Sequence, residues 1–313
     1  MPDRISEGAW RVTLPLPMRP GHVHAYLLEG EEGWTLVDTG VGLPDAKEHW
    51  RAELEEAGAK VDRIFVTHLH PDHVGAAADL HELTGAPVYQ GALDYAQCEL
   101  VWGNPAWSER LVEWFRLHGA PADVTDELVG QASVYRPFIR YQADPILVEA
   151  GERLDGWELV PAAGHADGQL CLLRDGVLVA GDHLLERITP TVGLWPASRP
   201  DPLGDYLAAL EHTIELAPRV ALPGHEVVLE DPVRRARELQ EHHRVRLDET
   251  LTALAGDEPR SGYELSFALF GDDVKPAARR FAVAETLSHA ERLVHLGAAS
   301  RHETTGTVTY TAT

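Results

Sequence analysis

Short apolar runs alternate with amphipathic stretches along the first third of the chain. Residues 25–28 and 34–37 predict two paired strands, because apolar residues cluster there on either side of a polar turn. The next stretch predicts a helix over about 44–57 that ends at a glycine. Residues 64–66 predict a further strand, and a helix over about 72–83 follows it.

Several apolar runs lead directly into histidine or aspartate. The strand predicted at 64–66 is followed by His68-Leu69-His70-Pro71-Asp72-His73. Three later runs end in glycine and then a potential ligand: 159–164 before His165, 177–181 before Asp182, and 220–224 before His225. A glycine in this position lets the chain turn sharply at the end of a strand.

The remaining pattern divides the chain into three parts. Residues 1–231 are predicted to form a catalytic domain with a mainly helical insertion over about 93–127. A polar connecting helix occupies 232–258. Residues 259–313 predict two helices and a terminal strand pair, an order typical of a winged-helix-like module.

The insertion carries four large aromatic side chains, and the pattern leaves two interpretations open. They either pack the helices together or form a lid over an apolar substrate. These residues are Trp102, Trp107, Trp114 and Phe115.

The charge balance argues against polyanionic partners. The chain has 50 acidic and 27 basic residues and a net charge of -23, which repels nucleic acid and anionic lipid. Residues 259–313 hold six basic and six acidic side chains, so this module lacks the positive charge of a nucleic-acid reader. The two cysteines are far apart, and no long apolar run is present, so we expect a cytoplasmic protein without disulfides.

The cluster of histidines and aspartates predicts a site for two metal ions. Imidazole and carboxylate donors suit zinc, with iron and manganese as alternatives. We assign His68, His70 and His165 to one ion, Asp72, His73 and His225 to the other, and Asp182 to a bridging position.

Such a site predicts hydrolysis. Two zinc ions favour a bridging hydroxide as the nucleophile, because zinc lowers the pKa of bound water. Asp72 is the predicted catalytic residue: it would orient the hydroxide and pass its proton to the leaving group.

The ligand pattern resembles that of the metallo-β-lactamase superfamily over about residues 10–230. The resemblance rests on the His-x-His-x-Asp-His motif, the later Gly164-His165, Gly181-Asp182 and Pro223-Gly224-His225, and the early Asp38-Thr39-Gly40 turn. It implies an α/β fold, an αββα sandwich with the metals at one edge, and it implies that Asp38 supports the site without binding metal. The tail resembles the extension of the β-lactamase-like protein 2 group.

The resemblance implies a zinc-dependent hydrolase acting on an ester, thioester or lactone. A phosphodiesterase or ribonuclease is one alternative, because the β-lactamase-like protein 2 group includes RNA-cleaving relatives, and the acidic charge argues against it. A mononuclear iron sulfur dioxygenase is another, and the full set of ligands argues against that. We expect a small-molecule substrate, no nucleic-acid or membrane partner, and a C-terminal module used for packing or for homodimer formation.

Three further residues are candidates for substrate contact. His24 lies where relatives often carry asparagine, His183 follows the bridging aspartate, and Trp195 lies in the stretch after it. Ordinary packing is the alternative for both histidines.

Overall fold

The computed structural model describes residues 3–6, 8–17, 19–256, 258–304 and 306–313. Within these ranges the chain forms two β-sheets that pack face to face, with helices against their outer faces. A smaller three-stranded sheet and two helices form the C-terminal region.

The first sheet has seven strands in chain order. They are β1 (Asp3–Ser6), β2 (Ala9–Pro15), β3 (His22–Glu29), β4 (Trp34–Val37), β5 (Val61–Val66), β6 (Val88–Gly91) and β7 (Ile146–Val148). Strands β1 to β4 pair antiparallel, whereas β4 to β7 pair parallel. Because parallel strands end at the same edge of a sheet, the residues after β4 and β5 lie close together.

The second sheet brings the later ligand-bearing loops to one edge. Its strands are β8 (Arg153–Leu154), β9 (Trp157–Pro161), β10 (Leu170–Arg174), β11 (Val177–Gly181) and β12 (Val220–Pro223), in the spatial order β12-β11-β10-β9-β8. Strands β9 and β11 are both antiparallel to β10, and β12 is parallel to β11. The loops after β9, β11 and β12 therefore leave from the same edge.

Helices cover both outer faces of this sandwich. The helices up to residue 253 are α1 (Ala46–Ala57), α2 (Pro71–Val74), α3 (Ala77–Thr84), α4 (Ala92–Cys98), α5 (Trp107–Leu117), α6 (Ala122–Tyr135), α7 (Pro202–Leu216) and α8 (Pro232–Ala253), and of these α5 and α6 pack in a separate core with the C-terminal region. Trp50 and Leu80, on α1 and α3, pack in the core outside the first sheet, and Leu210 and Leu239, on α7 and α8, pack outside the second. The core between the sheets contains Phe65 and other apolar residues of both. The predicted αββα sandwich is confirmed.

Two predicted helical segments differ in their bounds. The helix expected over 72–83 is broken into α2 and α3, because Gly75 packs against the backbone of Gly40 and the Ala76 amide donates to the Gly40 carbonyl at 3.0 Å. The helical insertion begins at Ala92 and continues past the predicted end near 127. Its later parts are a π-helical turn at Glu99–Gly103, then α5 and α6, and a 3-10 turn at Arg136–Phe138.

The C-terminal region is packed against the rest of the chain. It consists of β13 (Arg260–Ser261), α9 (Gly262–Phe270), α10 (Pro276–His295), β14 (Ala299–Thr304) and β15 (Thr307–Ala312). Its two helices and terminal hairpin follow the predicted order, and the winged-helix description stays a prediction. Helix α10 contacts α6, α7 and α8, and its apolar face shares one core with α5 and α6.

No helix in the described part of the chain has both the length and the apolar character needed to cross a bilayer.

Candidate metal centre

All seven predicted ligands meet at one edge of the sandwich. Their donor atoms form three overlapping groups whose members lie within 4.8 Å of one another. The groups are His68 with His70 and His165, His68 with His73 and Asp182, and Asp72 with His73 and His225. Because His68 and His73 each belong to two groups, the ligands form one continuous cluster.

The backbone explains why ligands so distant in sequence converge. The ligands from the first sheet occupy the loop after β5 and the first turn of α2. Backbone hydrogen bonds then join the loops of the two sheets: the Leu170 amide donates to the Thr67 carbonyl at 3.1 Å, and the His24 amide to the Gly224 carbonyl at 2.7 Å. The Gly224 amide donates to the Gly181 carbonyl at 2.7 Å.

Donor spacing in the first group suits a small cation. His68 Nε2 lies 3.1 Å from His70 Nδ1, and His165 Nε2 lies 3.6 Å from Asp182 Oδ2. Donors bound tetrahedrally to zinc at about 2.0–2.1 Å are separated by roughly 3.3 Å. The observed spacing therefore fits donors that share one ion.

Asp182 also faces the second group. Its Oδ2 lies 3.3 Å from His225 Nε2, and its Oδ1 lies 3.4 Å from His73 Nε2. Asp72 Oδ2 lies 3.2 Å from His225 Nε2 and 3.9 Å from His73 Nε2. Asp182 is thus within reach of donors from both predicted ion sites.

The second ring nitrogen of most ligand histidines is held by the protein. These contacts fix each ring and turn Nε2 toward the cluster, as supporting groups do around metal sites. They join His73 Nδ1 to Asp38 Oδ2 at 2.7 Å, His68 Nδ1 to Thr67 Oγ1 at 2.9 Å, His165 Nδ1 to the Thr191 carbonyl at 2.8 Å, and His225 Nδ1 to the His22 carbonyl at 2.8 Å.

Asp38 is the centre of this supporting network. Besides His73, it accepts hydrogen bonds from the Thr67 amide at 2.8 Å and from the Thr67 hydroxyl. Since the Thr67 hydroxyl donates to Asp38, it accepts from His68 Nδ1. Asp38 therefore orients ligands without itself joining the cluster of donors.

Several buried donor atoms in the cluster have no hydrogen-bond partner in the part of the chain that the structure describes. They are His73 Nε2, His165 Nε2 and Asp182 Oδ1. A buried polar atom without a partner costs free energy, so native sites rarely leave one unexplained. These atoms all face the other donors, and a bound cation would satisfy them. The residues present therefore fit a metal site.

The ligand histidines fall into two sets, one with lowered and one with raised pKa values. Burial lowers the pKa of His70 to about 3 and that of His68 well below its ordinary value, so both rings are neutral and available as ligands. Burial also opposes the charged form of His73 and His225, but the neighbouring carboxylates, Asp182 foremost, outweigh it. The pKa of His225 rises to about 10. Positive charge is thus favoured where Asp182 and Asp72 meet these rings, the place that a cation would take.

A cavity of about 330 Å³ opens beside the cluster. His70, Asp72, His165 and Asp182 form part of its lining, so a molecule in the cavity reaches the ligand-bearing edge. The rest of the wall is largely apolar and aromatic, from the insertion, the stretch after β11, and α10: Leu100, Trp102, Trp107, Leu111, Phe115, Leu128, Trp195 and Phe281.

The aromatic residues of the insertion contribute to both the core and the cavity wall, and their role as a lid over a substrate stays a prediction. Trp107 and Phe115 belong to the core shared with α10 and also line the cavity. Trp102 lines the cavity and donates from Nε1 to the Leu69 carbonyl at 2.8 Å. Trp114 lies in the core, stacked on Trp195 with ring centroids 5.9 Å apart.

The three candidates for substrate contact lie in different surroundings. Trp195 lines the cavity, as predicted. His24 is buried, with Nδ1 3.1 Å from Thr13 Oγ1 and Nε2 2.8 Å from the Glu226 carbonyl, and it lies outside the cavity lining. His183 is buried with Nε2 2.8 Å from Thr213 Oγ1, and it also lies outside the lining. Substrate contact by these two histidines therefore stays a prediction.

Sequence reasoning missed the contribution of α10. Arg280 and Phe281 line the cavity, although they follow the last predicted ligand by more than fifty residues. Neither residue belongs to a motif, so only the packing of α10 against α6 could have placed them there.

Comparison with known proteins identifies the family. The sequence profile of the metallo-beta-lactamase superfamily matches residues 18–225, and that of a metallo-beta-lactamase-like C-terminal domain matches residues 247–313. A solved metallo-beta-lactamase family protein from Thermus thermophilus is 34% identical with a TM-score of 0.86, over 99% of this chain and 100% of that one.

Curated relatives are more distant. The lactamase-like protein aptB of Emericella nidulans is 25% identical over 281 residues, which are 85% of this chain and 74% of the relative. The beta-lactamase-like protein 2 homolog of Drosophila melanogaster is 25% identical over 221 residues, 70% of this chain and 63% of that protein. Because the profile covers most of the chain and the sandwich and donor cluster agree with it, the protein belongs to the metallo-β-lactamase superfamily and is a metal-dependent hydrolase.

Proposed function

We propose that the protein is a dinuclear zinc hydrolase that cleaves an ester, thioester or lactone bond in a small-molecule substrate. The observation that carries this proposal is the continuous cluster of seven donors, which contains buried atoms without a hydrogen-bond partner among the described residues. His68, His70 and His165 would hold one ion, and Asp72, His73 and His225 the other. Asp182 would be shared.

The donor chemistry supports zinc. Five imidazoles and two carboxylates form the cluster, and neutral nitrogen donors with carboxylate oxygens are common zinc ligands. The same donors can also bind iron or manganese, so the experiment below measures which metal is bound. When bound, the two ions would supply a water that ionises near neutral pH and an electrophile for the substrate carbonyl.

Asp72 has the position that a proton-transferring residue needs. Its side chain is 23% exposed and lines the cavity, whereas the side chain of Asp182 is 9% exposed. Its Oδ2 lies 3.2 Å from His225 Nε2, which fixes the carboxylate at the edge of the cluster. From there Asp72 would orient the attacking water and carry its proton to the leaving group.

The cavity supports a carbonyl substrate with an apolar body. Its apolar walls would exclude water around the reacting bond and hold an acyl or aryl group beside the donors. The net charge of -23 opposes a polyanionic substrate, which supports a carbonyl substrate over a nucleic acid.

The test compares the protein with its Asp182→Asn variant and with Asp45→Asn, a matched change at an exposed aspartate. Metal content is measured after purification without added metal, and hydrolysis is assayed on thioesters, esters, lactones and a phosphodiester. We expect about two zinc ions per chain and turnover of a carbonyl substrate. Asp182→Asn should lower metal content and turnover together, and Asp45→Asn should leave both unchanged.

Other outcomes would contradict specific parts of the proposal. Normal metal content in Asp182→Asn would remove the bridging role of this carboxylate. About one iron ion per chain without hydrolysis would indicate an oxygenase, and cleavage of the phosphodiester alone would indicate a nuclease.

A further inference from the structure

Among the described residues that line the cavity, Arg280 is the only arginine or lysine. Arg280, on α10, borders the same space as His70, Asp72 and Trp195. It comes from the C-terminal region, which contributes none of the clustered metal donors. A ligand that fills the cavity can therefore contact both Arg280 and the ligand-bearing edge.

The guanidinium of Arg280 lacks polar partners among the described residues. Its Nε is buried and has no hydrogen-bond partner among the residues that the structure describes. Its Cζ lies 4.5 Å from the centre of the Phe281 ring, so the face of the cation rests on an aromatic surface. Among the described residues, no carboxylate is in ion-pair contact with Arg280. Burial lowers the pKa of Arg280 from its ordinary value, which reflects the cost of holding this charge away from water.

Arg279, the preceding residue, has a structural role and makes hydrogen bonds that Arg280 lacks among the described residues. Arg279 is buried, and its Nη1 donates to the Ser266 carbonyl at 2.9 Å while its Nη2 donates to the Gly271 carbonyl at 2.5 Å. Those contacts hold the end of α9 against α10. Arg280 makes no comparable contact within the described residues, although it belongs to the same helix.

Two other polar side chains of the lining, Asp167 and Ser198, already have partners. Asp167 accepts from Gln97 Nε2 at 2.6 Å and from the Arg199 amide at 2.9 Å. Ser198 Oγ accepts from the Trp195 amide at 3.0 Å. Arg280 is therefore the lining cation whose hydrogen-bonding capacity is open to a ligand.

From this geometry we infer that the substrate carries a carboxylate on its apolar body and that Arg280 binds this carboxylate. The inference rests on the proposed carbonyl hydrolysis and names the substrate class of the same site. A guanidinium pairs with a carboxylate through two parallel hydrogen bonds, and in a partly desolvated cavity this pairing offsets the cost of the buried charge. The net charge of -23 repels a single carboxylate less than a polyphosphate, which favours a monoanionic substrate over a polyanionic one.

A binding experiment on metal-free protein tests Arg280 apart from catalysis. The protein is dialysed against a chelator, and calorimetry measures the affinity of 6-phenylhexanoate and of its uncharged amide. We expect the carboxylate to bind about 10- to 100-fold more tightly than the amide, as charge-assisted hydrogen bonds do. Arg280→Gln should abolish this preference and Arg280→Lys should restore part of it. Arg237→Gln, which removes an exposed arginine, should leave it intact.

A kinetic experiment on zinc-loaded protein follows. The substrates are the mono-4-nitrophenyl ester of adipic acid, which keeps a free carboxylate, and the same compound with that carboxylate methylated. We expect the ratio of kcat/KM for the acid to that for the methyl ester to fall about 10- to 100-fold in Arg280→Gln. Arg237→Gln should not change the ratio.

The two experiments separate the possible failures. Hydrolysis of both esters with a ratio that does not depend on Arg280 would overturn the inference and leave the proposed function standing. Absence of hydrolysis of every ester, thioester and lactone tested would overturn the proposed function, and the binding preference would then decide the role of Arg280 alone. Equal affinity for the acid and the amide in the metal-free protein would overturn the inference directly.

Discussion

At the scale of single residues, the metal centre depends on carboxylates that face imidazole rings held in place by the protein. Asp182 and Asp72 lie against rings whose outer nitrogens are held by Asp38 or by a backbone carbonyl. Each of these contacts stabilises one orientation of one ring. Because these contacts restrict the rings, they lower the entropic cost of holding an ion.

Glu285, on α10, is a buried carboxyl group that destabilises the folded protein when it is ionised. Burial raises its pKa to about 7, and Arg246 opposes this shift only in part. Above pH 4.5 the unfolded chain releases this proton, whereas the folded protein keeps it until about pH 7. Folding is thus penalised as the pH rises between these values, and the penalty is complete above pH 7.

We expect Glu285→Gln to increase the free energy of unfolding by about 1–3 kcal/mol at pH 8 and to change it little at pH 5. Urea denaturation at both pH values measures this. Glu55→Gln, at an exposed glutamate, is the matched control. An equal effect of Glu285→Gln at both pH values would contradict the explanation.

The ligands were predictable from the sequence because each follows an apolar run directly. Their supporting groups were less so. Asp38 was predicted through the resemblance, but Thr67 as a link between Asp38 and His68 depends on hydroxyl geometry that no pattern encodes. The carbonyls of Thr191 and His22 are backbone groups, so their identity as partners follows only from the fold.

At the scale of elements, the site is built by strand ends and the tight turns that follow them. Gly164 has φ of 128° and Gly181 has φ of 50°, conformations that favour glycine. Gly224 is needed for a different reason: a Cβ there would collide with Asp182 Oδ1 and lie 2.6 Å from His73 Cε1. Its missing side chain leaves the space in which two ligands approach each other.

We expect Gly224→Ala to lower metal affinity about 10- to 100-fold, because the new methyl group would push Asp182 and His73 apart. Competition with a chromophoric chelator measures the affinity. Gly130→Ala is the matched control, since a Cβ at that helical position meets no atom within 4 Å. Unchanged affinity in Gly224→Ala would show that the loop after β12 adjusts without disturbing the donors.

Helix bounds show where element prediction fails and why. The apolar pattern over 72–83 is continuous, so it predicts one helix. The contact of Gly75 with Gly40 interrupts it, and that contact joins loops from two different strands. The periodicity of residues 72–83 cannot predict this contact, because the contact depends on a residue distant in the sequence.

At the scale of the whole molecule, the C-terminal region and the insertion form one core. Leu287, on α10, is fully buried in the cluster that also contains Phe115 and Leu128. Helix α10 also contacts α7 and α8, which cover the second sheet. Packing of this extent predicts that the C-terminal region and the sandwich unfold together.

We expect Leu287→Ala to destabilise the protein by about 2–4 kcal/mol through loss of apolar contacts and creation of a cavity. Thermal unfolding is followed by far-ultraviolet circular dichroism and, in parallel, by release of bound metal to a chelator. Both transitions should shift to lower temperature together. Leu296→Ala, at a leucine that is 56% exposed, should shift neither. Metal release that keeps its original midpoint in Leu287→Ala would indicate that the two regions unfold independently.

The structure also separates the residues that hold metal from those that shape the cavity. The donors follow β5, β9, β11 and β12, whereas most of the apolar wall comes from α5, α6, the stretch after β11, and α10. Substitutions in Leu111, Phe115 or Phe281 would alter which molecules fit without displacing a donor. An ancestral enzyme of this design could therefore acquire new substrates through substitutions in the helices that form the cavity wall, while its metal ligands and its reaction stayed the same. A protein engineer could follow the same route.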